Sequence, residues 1–136
     1  MINIFCVKWG KKYGADYVNK LFNGVLRNTK FKFRFFCLTD EATDLNPSIQ
    51  ILALEEGWTG WWGKSTLFSL PDQEGRMFYI DLDVVITGNI DEILNYRGTF
   101  AILRTDEIAC EKLNKNGYNS SIMAWCGKYN FYFYLK

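Results

Sequence analysis

Two aspartates, Asp81 and Asp83, interrupt one of the most apolar stretches of the sequence. An apolar run at residues 77–80 leads into Asp81-Leu82-Asp83, and a second apolar run follows at residues 84–86. Side chains alternate along a strand, so both carboxylates lie on one face and Leu82 lies on the other. Two carboxylates this close repel each other and are costly in apolar surroundings, unless a cation lies beside them. The pair therefore predicts a bound divalent cation.

A D-x-D pair is a weak motif by itself, and two other interpretations stay open. One aspartate can cap the turn while the other is exposed beyond the end of the strand. The stretch YIDLDVVIT also looks like the signature of haloacid-dehalogenase-like phosphatases, in which the first aspartate is a nucleophile and the second an acid/base. That motif usually opens the chain, whereas 80 residues precede Asp81, and no later lysine and paired-aspartate set is evident.

The residue types that are absent or scattered narrow the chemistry further. Histidine does not occur in the 136 residues, which excludes Ser-His-Asp and Cys-His catalysis. Any metal must therefore be bound by oxygen, which indicates Mg²⁺ or Mn²⁺. The four cysteines are Cys6, Cys37, Cys110 and Cys126. They form no C-x-x-C pair, and three of the four lie in apolar runs. We expect buried, reduced thiols rather than disulfides or a zinc site.

Composition and charge indicate one globular domain. Hydrophobic residues make up 49% of the chain and aromatic residues 18%, in a length that suits a single domain. The net charge of +1 argues against a nucleic-acid partner. Residues 1–7 lack the charged lead-in and the cleavage site of a signal peptide, and no apolar run approaches the roughly 20 residues of a membrane helix. We therefore expect a cytoplasmic protein with no transmembrane segment.

The order of apolar segments predicts an α/β nucleotide-binding domain. Buried strands are predicted at residues 2–7, 33–38, 49–54 and 76–80, and shorter strands at 100–103 and 122–125. Helical spacing of apolar residues predicts a helix between the first two strands, through Val18, Leu21, Phe22, Val25 and Leu26. Short helices are predicted at residues 64–70 and 92–96, the second capped by Asp91. Open α/β folds bind ligands at the carboxyl edge of the sheet, so the cation is expected to be shared with the phosphates of a nucleotide.

An aromatic loop at residues 57–63 precedes the first short helix. It contains Trp58, Trp61 and Trp62. These rings could stack on a sugar, and the alternative is that they are ordinary packing residues.

The wider sequence resembles the glycogenin-like and lipopolysaccharide-galactosyltransferase-like glycosyltransferases (family 8-like) of the GT-A fold. The resemblance covers nearly the whole chain and is carried by FCVKWG (5–10), GWWGKSTLF (60–68), FYIDLDVVITGNIDEI (78–93), FAILRTDE (100–107) and YNSSIMAW (118–125). It implies a single GT-A domain, Rossmann-like, over residues 1–136, with a mostly parallel central sheet. It also implies transfer of a hexose from a nucleotide-diphosphate sugar, with a UDP-sugar favoured, to a glycan, protein or lipid acceptor with retention of configuration.

The resemblance assigns roles to particular residues. Asp81 and Asp83 would bind Mn²⁺ or Mg²⁺, which bridges the diphosphate and stabilises it as a leaving group. The nucleotide would be bound by Val7, Lys8, Tyr13 and Leu82, and the donor phosphate or sugar by Lys64, Asp106, Asn119 and Ser120. For Lys8, Tyr13, Lys64 and Asp106 the alternative is an ordinary surface or loop residue. No catalytic nucleophile or base is assigned.

The sequence also departs from that family. Its members supply a third metal ligand, a histidine, in a motif well beyond the position of Lys136, and they place acidic acceptor-side residues downstream of the asparagine that Asn119 matches. We expect either that the C-terminal, acceptor-side portion is missing or that a compact form completes its metal with water or substrate. A non-catalytic nucleotide-sugar-binding module is the alternative function.

Overall fold

The computed structural model describes residues 1–54, 60–70, 74–107 and 116–126. Trp58 and Cys110 lie outside the described residues, as do the side chains of Trp61 and Trp62. The strands are β1 (Ile2–Lys8), β2 (Phe33–Thr39), β3 (Gln50–Ala53), β4 (Arg76–Ile80), β5 (Phe100–Arg104) and β6 (Tyr118–Cys126). The helices are α1 (Ala15–Asn28) and α2 (Asp91–Leu94), and 3-10 segments span Gly60–Ser69 and Thr105–Glu107.

The strands form one sheet in the order β3-β2-β1-β4-β6-β5. The first four strands are parallel, and β6 runs antiparallel to both β4 and β5. The chain moves outward from β1 through β2 to β3 on one side, whereas β4 pairs with β1 on its other side. The carboxyl ends of β1 and β4 therefore flank a topological switch point, where open α/β sheets bind ligands. The mostly parallel central sheet is confirmed.

Both faces of the sheet are buried, which explains the continuous apolar strands. On one face α1 packs its buried residues Val18, Leu21 and Val25 against a cluster that includes Ile4 and Phe78. On the other face the 3-10 segment supplies Leu67 to a cluster with members from β1, β2, β4 and β6: Phe5, Phe36, Leu38, Met77, Tyr79, Met123 and Trp125. Alternation along β4 thus directs Tyr79 towards the 3-10 segment.

Helix α1 follows the predicted spacing, with Asp16 in its first turn and Arg27 in its last. Both charges complement the helix dipole. Leu26 was predicted on the apolar face, but it is 55% exposed because its neighbours Leu21, Phe22 and Val25 already fill the contact with the sheet. No helix among the described residues meets the length and hydrophobicity needed to cross a membrane.

Two other local predictions are corrected. Residues 49–54 were predicted to form a buried strand, but in β3 all residues except Leu52 are exposed, because β3 is the edge strand of the sheet. Asp91 was predicted to cap α2. It is instead the first residue of that helix, and its carboxylate accepts a hydrogen bond of 2.6 Å from the hydroxyl of Thr29, beyond the end of α1.

The described cysteines are free thiols, as expected. Cys6 and Cys37 are buried and lie opposite each other on β1 and β2, and Cys126 is half-buried on β6. Burial raises the pKa of the Cys6 thiol well above its ordinary value. These thiols therefore act as small core residues in this fold.

Candidate cation and nucleotide site

Asp81 and Asp83 lie just beyond the carboxyl end of β4, at the switch point of the sheet. The backbone N–H of Asp81 donates to the carbonyl of Ser121 on β6 (2.8 Å), and the carbonyl of Asp81 accepts from the N–H of Val84 (3.2 Å). The first bond extends the β4–β6 ladder by one residue, and the second turns the chain. The aspartates therefore end the strand rather than interrupt it, which removes them from the apolar interior.

Both aspartates line one cavity of about 350 Å³. Its walls come from the end of β1, the following loop, the 3-10 segment and the end of β4. The lining residues are Val7, Trp9, Lys12, Tyr13, Lys64, Tyr79, Asp81, Leu82 and Asp83. A cavity of this size, with apolar walls and a few charged groups, suits a small polar ligand.

The carboxylate of Asp81 is held by two side chains. Nζ of Lys64 lies 3.1 Å from Oδ1 and 3.3 Å from Oδ2, and the hydroxyl of Tyr79 donates to Oδ1. The ammonium of Lys64 also donates to Oγ of Ser120 at 3.0 Å and lies 4.9 Å from the ring centroid of Tyr79. The side chains of Lys64 and Asp81 are 14% and 26% exposed, so solvent screens this ion pair only in part.

Tyr79 is almost completely buried beneath this ion pair. Burial and, after it, the negative charge of Asp81 raise the pKa of Tyr79 far above its ordinary value. The hydroxyl therefore stays protonated and acts as a hydrogen-bond donor to the carboxylate.

Asp83 lies on the open side of the cavity. It is exposed, and its Oδ2 accepts a hydrogen bond of 3.4 Å from the hydroxyl of Tyr13. The ring of Tyr13 packs edge-on against Tyr17, with centroids 4.9 Å apart, and the ammonium of Lys12 lies 5.0 Å from its centroid. Tyr13 thus connects the loop after β1 to the second aspartate.

Six of the ten residues predicted for the site line this cavity, and Lys8 is one of the four that do not. Strand alternation directs Val7 towards the cavity and Lys8 towards the opposite face of the sheet. The Lys8 side chain is buried, and its Nζ donates to the carbonyl of Glu41 at 3.0 Å and lies 3.5 Å from Oε2 of the same residue. Lys8 therefore links the end of β1 to the loop that follows β2.

Three residues predicted to bind the donor sugar are not among those that line the cavity: Asp106, Asn119 and Ser120. The hydroxyl oxygen of Ser120 accepts a hydrogen bond from Lys64, which lines the cavity. Oδ1 of Asn119 accepts hydrogen bonds from the N–H (2.8 Å) and the hydroxyl of Ser121. Asp106 accepts from the N–H of Asn116 at 2.8 Å and pairs with Arg104 at 2.7 Å. These two contacts, the first more than the second, lower the pKa of Asp106 below its ordinary value. Neither Asp106 nor Asn119 is among the residues that line the cavity.

Three residues of the cavity were not assigned from the sequence. Trp9 and Lys12 share the loop of Tyr13, and Tyr79 is two positions before Asp81. Strand alternation places residues two apart on the same face, so the position of Tyr79 beside Asp81 could be predicted from the sequence. The burial of Tyr79 could not be predicted in this way.

The donor set fits a hard cation with few protein ligands. The described parts of the chain contain no group of three His, Cys, Asp or Glu residues that could hold a metal ion. Mg²⁺-like ions are commonly bound by one or two carboxylates, with substrate phosphates and water completing the coordination. Asp81 and Asp83 supply two carboxylates of this kind, provided that the ammonium of Lys64 leaves Asp81.

Comparison with solved structures identifies the fold. No protein-family model matches the sequence, and no curated protein matches it. The galactosyltransferase LgtC, solved with donor and acceptor sugar analogues, superposes with a TM-score of 0.69 at 11% identity, over 93% of this chain and 58% of LgtC. The glycosyltransferase GlyE of Streptococcus pneumoniae TIGR4 gives a TM-score of 0.64 at 10% identity, over 94% of this chain and 35% of GlyE. Mouse xyloside xylosyltransferase 1 gives 0.55 at 13% identity, over 90% of this chain and 66% of that enzyme.

The similarity lies in the fold, because sequence identity to each of these proteins is low. The mixed α/β domain with its six-stranded sheet has the GT-A glycosyltransferase fold. The chain spans a little over half of the length of LgtC and about a third of that of GlyE.

Proposed function

We propose that this chain binds a nucleotide-diphosphate sugar through Mn²⁺ or Mg²⁺ and forms the donor-binding part of a hexosyltransferase. The observation that carries the proposal is the cavity at the switch point of a GT-A fold, in which Asp81, Asp83 and Lys64 come together. Two carboxylates and two lysine side chains, Lys12 and Lys64, in a single cavity suit a cation and a diphosphate better than a neutral ligand.

The charged residues would have different partners at the diphosphate, the aspartates binding the cation and Lys64 a phosphate oxygen. Asp81 and Asp83 would hold the cation, and the cation supplies positive charge that stabilises the departing diphosphate. The ammonium of Lys64 lies 3.1 Å from Oδ1 of Asp81 and can give a phosphate oxygen a charged hydrogen bond. Its ammonium would exchange Asp81 for the phosphate when the donor binds.

The uncharged walls of the cavity suit the nucleoside. Val7 and Leu82 supply apolar surface, and Trp9 and Tyr13 supply aromatic rings on the loop after β1. A base can stack on such a ring while the hydroxyl of Tyr13 stays within reach of Asp83. We propose a uridine diphosphate sugar as the donor, on the resemblance to the glycogenin-like and lipopolysaccharide-galactosyltransferase-like enzymes.

The finer parts of the proposal rest on that resemblance alone. They are membership of the family 8-like group, transfer with retention, a cytoplasmic location and sugar contacts by Asp106, Asn119 and Ser120. The acceptor is a glycan, a protein or a lipid. Lys8 would act on the nucleotide only indirectly, because its ammonium is bound to Glu41.

Calorimetric titration tests the donor site. UDP and UDP-sugars are titrated into the chain with and without Mn²⁺, and into the variants Asp83→Asn and Asp44→Asn. Asp44 is an exposed aspartate that does not line the cavity, so its variant is a matched control for the loss of one carboxylate. We expect tight binding only with Mn²⁺, a loss in Asp83→Asn and none in Asp44→Asn. Absence of binding with and without Mn²⁺ contradicts the proposal.

A nucleotide-sugar-binding module without transferase activity is the second candidate. It is favoured by the lack of a third protein ligand for the cation among the described residues. The two functions differ in whether the donor is consumed. Chromatography detects whether UDP is released from a bound UDP-sugar. Release of UDP supports the transferase, and binding without any release supports the module.

A further inference from the structure

Tyr79 contacts both members of the ion pair in the cavity. Its hydroxyl donates to Oδ1 of Asp81, and its ring lies 4.9 Å beneath the ammonium of Lys64. Each contact uses a different part of the side chain, the hydroxyl for the anion and the π face for the cation.

The position of Tyr79 is determined by packing, whereas that of Asp81 is not. Tyr79 is 2% exposed, lies within β4 and is paired with Phe5 on one side and Met123 on the other. Asp81 lies one residue past the strand, at the start of a turn. The hydroxyl of Tyr79 is therefore held in place by the core, and its hydrogen bond can restrain the carboxylate of Asp81 on the adjoining turn.

The two oxygens of Asp81 differ in their partners. Oδ1 accepts from both Tyr79 and Lys64, whereas Oδ2 accepts from Lys64 alone. When Lys64 leaves for a phosphate, Oδ1 keeps the hydrogen bond from Tyr79 and Oδ2 becomes available. A hydrogen bond to an ionised acceptor is also stronger than one between neutral groups, so it can restrain the carboxylate.

We infer that Tyr79 is a positioning residue for the cation, whose hydroxyl holds Oδ1 of Asp81 and presents Oδ2 to the metal ion. The inference rests on the proposed function, since it concerns the same cation. Groups that hydrogen-bond a metal-ligating carboxylate orient it, and their removal typically lowers metal affinity 10- to 100-fold.

The variant Tyr79→Phe isolates the hydroxyl. Phenylalanine keeps the ring that fills the core and lies beneath Lys64, so packing and the cation–π contact are retained. Tyr96→Phe is the matched control, because its hydroxyl also makes one hydrogen bond, to the carbonyl of Phe100 at 2.9 Å, and it does not line the cavity. Thermal unfolding followed by circular dichroism establishes that both variants are folded.

The first readout is the affinity for Mn²⁺ with saturating UDP, measured from the electron paramagnetic resonance signal of the free ion. We expect a loss of roughly 10-fold in Tyr79→Phe and no change in Tyr96→Phe. The affinity for UDP without Mn²⁺ should be equal in all three proteins, which a general structural defect would not produce. Equal Mn²⁺ affinities in the wild type and Tyr79→Phe overturn the inference and leave the proposed function standing.

The second readout is independent of metal binding. Because Lys64 holds both oxygens of Asp81 in the metal-free protein, the comparison is made in the Lys64→Met background. Crystal structures of metal-free Lys64→Met and of the double variant Lys64→Met/Tyr79→Phe show whether the carboxylate of Asp81 keeps its orientation. A turned carboxylate in the double variant supports the positioning role, and an unchanged one overturns it. If the wild type binds no Mn²⁺ at all, the proposed function fails, and these two structures still decide the role of Tyr79 towards Asp81.

Discussion

The ammonium of Lys64 lies 3.1 Å from Oδ1 and 3.3 Å from Oδ2 of Asp81, although the two residues are 17 positions apart. A cation carried by the protein thus holds the carboxylate that we propose as a metal ligand. This contact explains how an aspartate is accommodated at the end of an apolar strand. A metal ion bound at Asp81 would compete with Lys64, and a diphosphate would give the displaced ammonium a new partner.

Lys64→Met is therefore expected to bind Mn²⁺ alone more tightly than the wild type. A half-buried ion pair of this kind contributes about 1 kcal/mol, which corresponds to roughly a fivefold gain once the competitor is removed. The same variant should bind UDP more weakly in the presence of Mn²⁺, because the phosphate loses a charged donor. Both affinities are measured by calorimetry.

Lys20→Met is the control for the loss of one ammonium. Lys20 pairs with Asp16 at 3.1 Å on the exposed surface of α1, and it does not line the cavity. The variant Lys20→Met should leave the affinity for Mn²⁺ and the affinity for UDP in the presence of Mn²⁺ unchanged. Mn²⁺ affinity in Lys64→Met equal to or below that of the wild type would contradict the competition between Lys64 and the metal.

Much of the fold could be predicted from the sequence, because strands and helices have different apolar periods. The apolar runs of β1, β2 and β4 were recognised almost to the residue, and so was the helical spacing in α1. The exposure of β3 could not be predicted in the same way. Whether a strand lies at the centre or the edge of a sheet depends on the strand order, which is a property of the assembled sheet.

The candidate site could be predicted in part for a similar reason. Asp81 and Asp83 stand out because carboxylates are costly beside apolar residues, and the topology then brings Val7 and Tyr13 to the same edge. The partners of side chains are decided by tertiary contacts. The hydrogen bond from Tyr79 to Asp81 and that from Lys8 to Glu41 both depend on which face of the sheet a residue occupies and on what lies there.

Lys8→Met is expected to affect stability rather than nucleotide binding. Loss of the hydrogen bond from the buried ammonium to the carbonyl of Glu41 should cost about 1 kcal/mol, since that carbonyl keeps its bond from the hydroxyl of Thr39. Chemical denaturation measures the stability, and calorimetry with UDP and Mn²⁺ measures the affinity. A large loss of affinity with normal stability would show that Lys8 reaches the nucleotide in the bound state.

Gly24→Ala is expected to stabilise the fold. Gly24 lies within α1, and an added Cβ would lie 3.5 Å from Ile86, an ordinary van der Waals contact. Replacing glycine by alanine within a helix contributes about 0.5–1 kcal/mol, or roughly 3 °C in the unfolding temperature.

Gly75→Ala is the contrasting variant. Gly75 has a φ of +108°, and a Cβ there would lie 2.2 Å from the carbonyl oxygen of Met1, so this change should destabilise the fold. Thermal unfolding of both variants checks the signs, and a lower unfolding temperature for Gly24→Ala would contradict the expectation.

The carboxylate of Asp91 should make stability depend on acid pH. The hydrogen bond from the hydroxyl of Thr29, foremost among several contacts, lowers the pKa of Asp91 below the ordinary value of 3.8. The folded state therefore binds this proton less readily than the unfolded chain. The stability that the carboxylate contributes is fully present above pH 3.8 and is lost as the pH falls through the lowered pKa.

Asp91→Asn tests this dependence. At neutral pH it should lower the unfolding temperature, and the difference from the wild type should shrink as the pH falls below 3.8, because the wild-type carboxyl is then protonated as well. The exposed Asp44→Asn is the control, with a small difference at every pH. Thermal unfolding of the three proteins across the acid range measures the effect. A difference between Asp91→Asn and the wild type that is the same at neutral and acid pH would mean that the contact with Thr29 does not depend on the charge of Asp91.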